Sequence, residues 1–371
     1  MAKLGEVCRV LPSTKKIERQ GAWLLNLDMV EQQTGRVIEY KYVGEDDLNG
    51  SIIQFDTENV LYSKLRPNLN KVVLPEKDGF STSELLPLRP DTSVLNRDYL
   101  AAFLRSDSFV IWAVSKTAGA KMPRLGTKDL MNAEIPVPNI EQQKEIAEKF
   151  KKLEQLISLR KQQLAKLDEL VKVRFVEMFG DPKDNRSNLV KIGEIGDLTS
   201  GGTPSRSNSE YFNGSIRWYS AGELNSLYLP DSIEHISRTA LSQSAAKLFE
   251  KGTLMIGMYD TAAFKMGILT EQSSSNQACA NLKPTEQYSV IWLYYLFDIM
   301  KPIFLNERQG VRQKNLSLSK IRNFNIPSAP IELQNNFAAF VERVDKQKQT
   351  VQQSLDKLEL MKKALMQEYF G

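Results

Sequence analysis

The sequence predicts an α+β chain built as two copies of one unit, each a globular module followed by a long amphipathic helix. Three observations predict this. Two segments that end in Phe-Gly repeat without gaps at a constant offset of 191 residues. Both carry apolar residues at alternating three- and four-residue steps. The stretches before them hold short apolar runs divided by Gly, Asn, Asp and Pro, the pattern of a mixed module.

The repeat is clearest where each helix begins. Ile135-Pro-Val-Pro-Asn-Ile-Glu-Gln-Gln aligns with Ile326-Pro-Ser-Ala-Pro-Ile-Glu-Leu-Gln, and the register holds to Phe179-Gly180 and Phe370-Gly371. Leu164, Lys166, Leu167 and Lys172 return as Leu355, Lys357, Leu358 and Lys363. A fainter echo, Lys3-Leu-Gly-Glu-Val against Lys191-Ile-Gly-Glu-Ile, opens each module. The expected division is a module over 1–139, a helix over 140–180, a second module over 181–325 and a second helix over 326–371.

In the first helix the apolar seam is Ile146, Phe150, Leu153, Ile157, Leu164, Leu167, Val171 and Met178, interrupted by Arg160 and Arg174. In the second it is Phe337, Val341, Val344, Val351, Leu355, Leu358, Leu365 and Tyr369, interrupted by Lys348 and Lys362. So narrow a stripe fits a coiled coil and is not satisfied by an isolated helix. Each helix packs either on its own globular module or on the other helix; matching seams on both favour pairing with each other, and the pattern alone leaves parallel and antiparallel pairing open. The four charged positions fix register, or else snorkel to solvent beside a partner. Asn139 is the expected N-cap, with Gln142 at the third helical position, and Gly180 before Asp181-Pro182 ends the first helix. About 40 residues at 1.5 Å per residue gives each helix roughly 60 Å.

Within the modules, Val60-Leu-Tyr-Ser and Lys71-Val-Val-Leu read as strands around the loop Lys64–Asn70. Asp98–Ser115 reads as one helix, Gly252–Met258 as a strand, and Val290–Phe304 as a helix that ends at Pro302.

Composition bounds the chemistry. Apolar residues are 42% and charged residues 25%, the balance of a folded soluble protein. No apolar run approaches the roughly 18 residues of a membrane span, so no membrane contact is expected. The N-terminus does not resemble a secretory signal. Cys8 and Cys279 form no framework and read as buried thiols in a reducing cytoplasm. His235 is the only histidine, which argues against a His-based triad, general base or metal site. No phosphate-binding Gly-x-x-x-x-Gly-Lys-Ser/Thr loop, no Asp/Asn-Pro-Pro-aromatic methyltransferase motif and no Gly-x-Gly-x-x-Gly turn occurs. Pro230-Asp231 lacks the Glu-x-Lys of a restriction-type nuclease. No catalytic centre or cofactor site is therefore expected on this chain.

Net charge is only +4, so any nucleic-acid contact must come from local patches. Several loops combine cations, amides and aromatics. Lys64, Arg66, Lys121 and Arg124 are candidates in the first module. In the second, the Gly/Ser-rich stretch around Thr203, Ser205 and Arg206 is expected to offer free backbone amides to phosphate. Arg217 with Trp218-Tyr219, then Tyr259, Lys265, Asn276, Gln277, Arg312, Gln313, Lys314 and Asn315 complete the set. Arg suits guanine edges, whereas Asn and Gln suit adenine edges.

These residues carry a resemblance. Gln309-Gly-Val-Arg-Gln-Lys-Asn-Leu-Ser-Leu-Ser-Lys-Ile, Ser200-Gly-Gly-Thr-Pro-Ser, Tyr219-Ser-Ala-Gly-Glu-Leu, Asn276-Gln-Ala-Cys-Ala and Lys64-Leu-Arg-Pro-Asn-Leu with Ser81-Thr-Ser-Glu are similar to phrases of the specificity (S) subunits of type I DNA restriction–modification enzymes. Together with the two-copy layout, the resemblance covers the whole length. It implies two target recognition domains, each reading half of a bipartite site on double-stranded DNA. It implies an antiparallel helix pair that sets the spacing, two methylation subunits docked on it, and two motor–nuclease subunits. S-adenosylmethionine, ATP and magnesium then belong to those partners. The first module lacks the Ser-Gly-Gly-Thr-Pro stretch, so its contact loops cannot be mapped from the second. Two rival readings are a standalone DNA-modifying or DNA-cleaving enzyme, and a coiled-coil scaffold that binds only proteins.

Overall fold

The computed structural model describes residues 1–17, 21–44, 51–119, 121–184, 188–308 and 315–371. It divides into two compact units, one formed by Met1–Gln162 with Gln352–Gly371 and the other by Gln163–Val351. Two 40-residue helices, Ile140–Phe179 and Ile331–Phe370, each contribute to both units.

In the first unit, one sheet runs in the order Cys8–Val10, Leu85–Pro90, Val60–Ser63, Val72–Val73, with every pair antiparallel. A second sheet runs Lys41–Val43, Ala22–Leu25, Gly79–Thr82, Ile52–Phe55, and its Ala22–Leu25/Gly79–Thr82 pair is parallel. Alternate side chains of the Val60–Ser63 strand enter different cores, because successive residues of a strand face opposite ways. Val60 and Tyr62 join Tyr99, Leu100, Phe103 and Phe109 from the helices, while Leu61 joins Trp23, Leu25 and Phe55 from the second sheet. Burial on both faces explains why this strand is a continuous apolar run.

The second unit repeats the plan. Gly196–Ser200, Cys279–Pro284, Leu254–Gly257 and Met266–Ile268 follow the same order, with Asn225–Tyr228 added at the edge. Glu234–Ile236, Ile216–Tyr219 and Ser274–Ser275 form the smaller sheet, again with one parallel pair. Leu254, Ile256 and Leu282 pack with Trp292, Leu293 and Phe297 of the helix Val290–Asn306.

Two helix expectations are corrected. Asp98–Ser115 is not one helix but two, Arg97–Leu104 and Asp107–Ser115, since the Ser106 side chain accepts from Phe109 N and starts a new helix. Pro302 does not end its helix, which continues to Asn306 with the exposed proline inside it. The buried residues Met300 and Phe304 on either side hold that turn against the core at the cost of one backbone bond.

The long helices begin and end as their caps require. Gln142 N donates to the Asn139 side chain at 2.9 Å, and Gly180, at φ 75°, donates to Val176 O at 2.8 Å. Every expected seam residue is buried or half-buried, whereas Leu156, Leu159, Leu170, Val173 and Leu360 off the seam are exposed. In the first unit Lys149 meets Tyr369 at 3.0 Å, Glu154 meets Lys362 at 2.8 Å and Arg160 meets Ser354 at 3.2 Å. In the second unit Asp168 meets Lys348 at 2.5 Å and the Phe175 and Phe337 rings lie 5.3 Å apart. Within each unit, then, partner numbers rise along one segment as they fall along the other. The packed stripe is wider than the heptad pattern, because Phe175, Met366 and Phe370 are also buried, against helices of the modules.

Candidate nucleic-acid interface

In the first unit the loop joining Val60–Ser63 to Val72–Val73 is a tight structure around a 3-10 turn at Pro67–Leu69. Arg66 and Asn70 both take φ 49°, a left-handed conformation that side-chain-bearing residues adopt at a cost. Arg66 N donates to Pro123 O at 2.8 Å, Leu125 N donates to Lys64 O at 2.9 Å, and Leu65 bridges Arg124. The fold thus brings Lys64, Arg66 and Arg124 together, with Lys121 in the adjoining hairpin segment. Arg124 pairs with Glu84 at 3.2 Å. Lys64, Arg66 and Lys121 have no side-chain partner among the described residues, and Arg66 and Lys121 are exposed. Gln33 also belongs here, a residue that sequence reasoning missed. It sits at φ 65°, with its amide N donating to Leu69 O and its side chain to Asn68 O, both at 3.0 Å. Gln-Gln-Thr-Gly at 32–35 signals a turn, but nothing in it signals the distant loop it packs on.

The second unit has the matching loop between Leu254–Gly257 and Met266–Ile268. Its left-handed residues are Asp260 at φ 49° and Phe264 at φ 53°, around a 3-10 turn at Asp260–Ala262. Leu316 N donates to Met258 O at 2.8 Å, and Asp260 N to the Asn315 side chain at 3.1 Å. Tyr259 is 40% exposed and Lys265 half-buried. Thr203 donates to the Gln277 side chain, which joins two more of the predicted loops.

The Gly/Ser-rich stretch does not behave as expected. Gly201 N donates to Cys279 O at 3.1 Å and Gly202 N to Ser275 O at 2.9 Å, so these amides are not free for phosphate. A Cβ on Gly202 would lie 1.9 Å from Ala245 O, so glycine serves close backbone packing here. Ser205 bonds Ser207 at 2.7 Å. Arg206 pairs with Glu234 and lies 4.4 Å over the Phe212 ring, and Arg217 pairs with Asp231 at 2.9 Å and Glu271 at 3.0 Å. Trp218 and Tyr219 beside it are buried. Asn276 uses its side-chain oxygen on Ala278 N at 3.0 Å. Arg312, Gln313 and Lys314 lie outside the described residues.

Both cysteines are buried, and burial pushes each thiol up to about 12, which makes them inert packing residues. Among the described residues no group of His, Cys, Asp and Glu is arranged to hold a metal, and no helix is long and apolar enough to cross a membrane.

The family model for the type I restriction modification DNA specificity domain matches residues 3–169 and again residues 185–360. The chain belongs to this family. Among curated relatives, the specificity subunit of the type I restriction enzyme EcoDI of Escherichia coli is 27% identical over 124 residues, 33% of this chain and 27% of that protein. The MjaIX specificity subunit of Methanocaldococcus jannaschii is 26% identical over 169 residues, 44% of this chain and 38% of that protein. The chain thus spans well under half the length of these relatives. The crystal structure of a type I restriction-modification system S subunit from M. genitalium superposes over 100% of this chain and 95% of that one, with a TM-score of 0.62 at 15% identity, a likeness of fold.

Proposed function

We propose that this chain is the sequence-reading subunit of a type I restriction–modification complex. Residues 1–139 and 181–325 are its two target recognition domains, each reading one half of a bipartite site on double-stranded DNA. The helices over 140–180 and 326–371 pair as an antiparallel coiled coil that sets the gap between half-sites and docks two methylation subunits. Two motor–nuclease subunits complete the assembly. The chain itself is non-catalytic, so S-adenosylmethionine, ATP and magnesium act in the partners, in the cytoplasm.

One observation carries this reading. Two units of the same plan present the same left-handed turn, built on different side chains: Lys64, Arg66 and Arg124 in one, Tyr259, Asp260 and Asn315 in the other. A shared frame with different contact residues is what a reader of an asymmetric split site requires, since phosphate contacts position and base contacts specify. The opposed contacts between the long helices within each unit support antiparallel pairing. The ion pairs of Arg124, Arg206 and Arg217 demote these three as free DNA contacts and favour Lys64, Arg66, Lys121, Tyr259 and Lys265.

The test is to express the chain with its methylation partner in a methylation-free host and map methylated bases. The expected result is one bipartite, asymmetric sequence, with no methylation by either protein alone. Methylation or cleavage of DNA by the purified chain alone would overturn the reading in favour of a standalone enzyme. A partnered complex without sequence preference would favour the protein-binding scaffold.

A further inference from the structure

The two turns align at a constant offset of 194 residues, Arg66 with Asp260 and Asn70 with Phe264, and all four residues are left-handed. None is glycine: Asn70 and Asp260 are of the types that visit this conformation, whereas Arg66 and Phe264, one in each turn, adopt it at a cost. Dissimilar sequences therefore hold the same costly backbone at the same two places, so the surroundings impose it. Those surroundings also match. Leu125 N donates to Lys64 O as Leu316 N donates to Met258 O, and Leu125 and Leu316 are themselves 191 residues apart. Arg124 and Asn315, one residue earlier, flank the two turns in the same way: Arg124 through its bridge to Leu65, Asn315 through its bond to Asp260 N.

The frame is common and the side chain it displays is not. At the first left-handed position one unit shows Arg66 and the other Asp260, both exposed and without a side-chain partner among the described residues. Asp260 is the informative one. The carboxylates near the other candidate loops are tied to cations, Glu84 to Arg124, Glu234 to Arg206, and Asp231 and Glu271 to Arg217. A free carboxylate on a surface that approaches phosphates is repelled unless it meets a hydrogen-bond donor. On base edges in the major groove such donors are amino groups, and Asp suits the N4 amino group of cytosine, as Arg suits O6 and N7 of guanine.

We infer that the first left-handed residue of each turn reads a base edge, Arg66 a guanine in one half-site and Asp260 a cytosine in the other. This rests on the DNA-reading function proposed above and adds which bases the two readers take. The neighbouring Lys64 and Lys121, and Tyr259 and Lys265, hold the phosphates on either side. A rigid left-handed turn serves such reading, because the side chain is aimed before DNA arrives.

The experiment uses the chain assembled with its methylation partner, in Arg66→Asn and Asp260→Asn variants. Asn tolerates the left-handed backbone, so the turn survives both changes. In Arg66→Asn one half-site loses its guanine requirement at a single position, and affinity for the original site falls about tenfold to a hundredfold. In Asp260→Asn one position of the other half-site shifts from cytosine toward adenine, which an amide reads. The opposite half-site stays unchanged in each case. Arg66→Gly and Asp260→Gly, which carry no backbone cost, give the same loss of discrimination if the side chain is the reader. The inference is overturned if assembled variants keep the wild-type recognition sequence. It is equally overturned if binding changes by one factor on all sequences with an altered salt dependence, the mark of a phosphate contact. Wild-type complex without sequence preference would remove the functional reading as well, so the two failures are distinguishable.

Discussion

Gln143 and Gln334 are fully buried and do the same work in their units. Gln143 donates to Val94 O at 2.9 Å and Pro138 O at 2.8 Å, and accepts from Asn96 N at 2.8 Å. Gln334 donates to Gln287 O at 3.4 Å and Ala329 O at 2.7 Å, and accepts from Ser289 N at 2.9 Å. Each clamps the start of a long helix to the N-cap residue of a module helix, Asn96 or Ser289. The repeat displays the matched glutamines, but a glutamine in a polar helix start looks solvated, and only the packing shows otherwise. Gln143→Leu fills the space and strands three backbone groups, so it is expected to cost about 2–4 kcal/mol, read as a lower urea midpoint. Gln334→Leu should do the same in its unit. Asp56 gives a pH dependence. Its side chain is 2% exposed. Burial pushes the carboxyl up, but hydrogen bonds from Arg89, Ser13 and Glu58 N together outweigh burial and hold it at about 2. A depressed carboxyl stabilises the fold above its ordinary range and loses that contribution as pH falls through 2. Wild type should exceed Asp56→Asn by about 2 kcal/mol at neutral pH, and urea midpoints taken from pH 5 down to 2 should converge.

For the long helices, the heptad pattern locates the seam and its four interruptions, and the contacts decide what the interruptions do. Lys362 reaches Glu154, Lys348 reaches Asp168, Arg160 reaches Ser354, and Arg174 lies 6.0 Å over the Phe340 ring. Each meets a partner that one register provides, which favours the register reading. Glu154 also takes Arg105 of the first module at 3.1 Å, and these two cations outweigh burial to hold its carboxyl below the usual range. What the pattern could not display is the aromatic packing beside the seam. Phe175 and Phe370 contact Trp292 and Tyr99, partners that are distant in sequence. These rings carry more of the stability than the ion pairs. Phe175→Ala should cost about 3–5 kcal/mol by leaving a buried cavity, whereas Lys362→Ala, at a half-buried pair that leaves Glu154 its Arg105 partner, should cost about 1 kcal/mol. Denaturant titrations of both variants rank them, and a larger loss from Lys362→Ala would place the stability in the charges instead.

Across the whole chain, the duplicated layout was legible because helix starts and seams repeat as side chains. The deeper likeness of the modules was not, because its matching contacts, such as Leu125 N to Lys64 O and Leu316 N to Met258 O, are between backbone groups that any residue supplies. The same holds for the candidate site. Cation-rich loops were visible, but their pairing with Glu84, Glu234 and Asp231 was settled by folding. The proposed helix pair makes a further prediction at this scale. Matched insertions of seven residues in both long helices, on opposite sides of one seam layer, keep every apolar position in phase. Seven residues lengthen a helix by about 10 Å, and B-form DNA rises about 3.4 Å per base pair. If the helices set the gap, methylation mapping of the lengthened chain with its partner should show half-sites about three base pairs farther apart and unchanged in sequence. Recognition of altered bases at the original spacing would mean that the helices tune the readers rather than separate them. An insertion of four residues in each helix, a stutter that a coiled coil absorbs by local unwinding, should widen the gap by a smaller step than seven residues do.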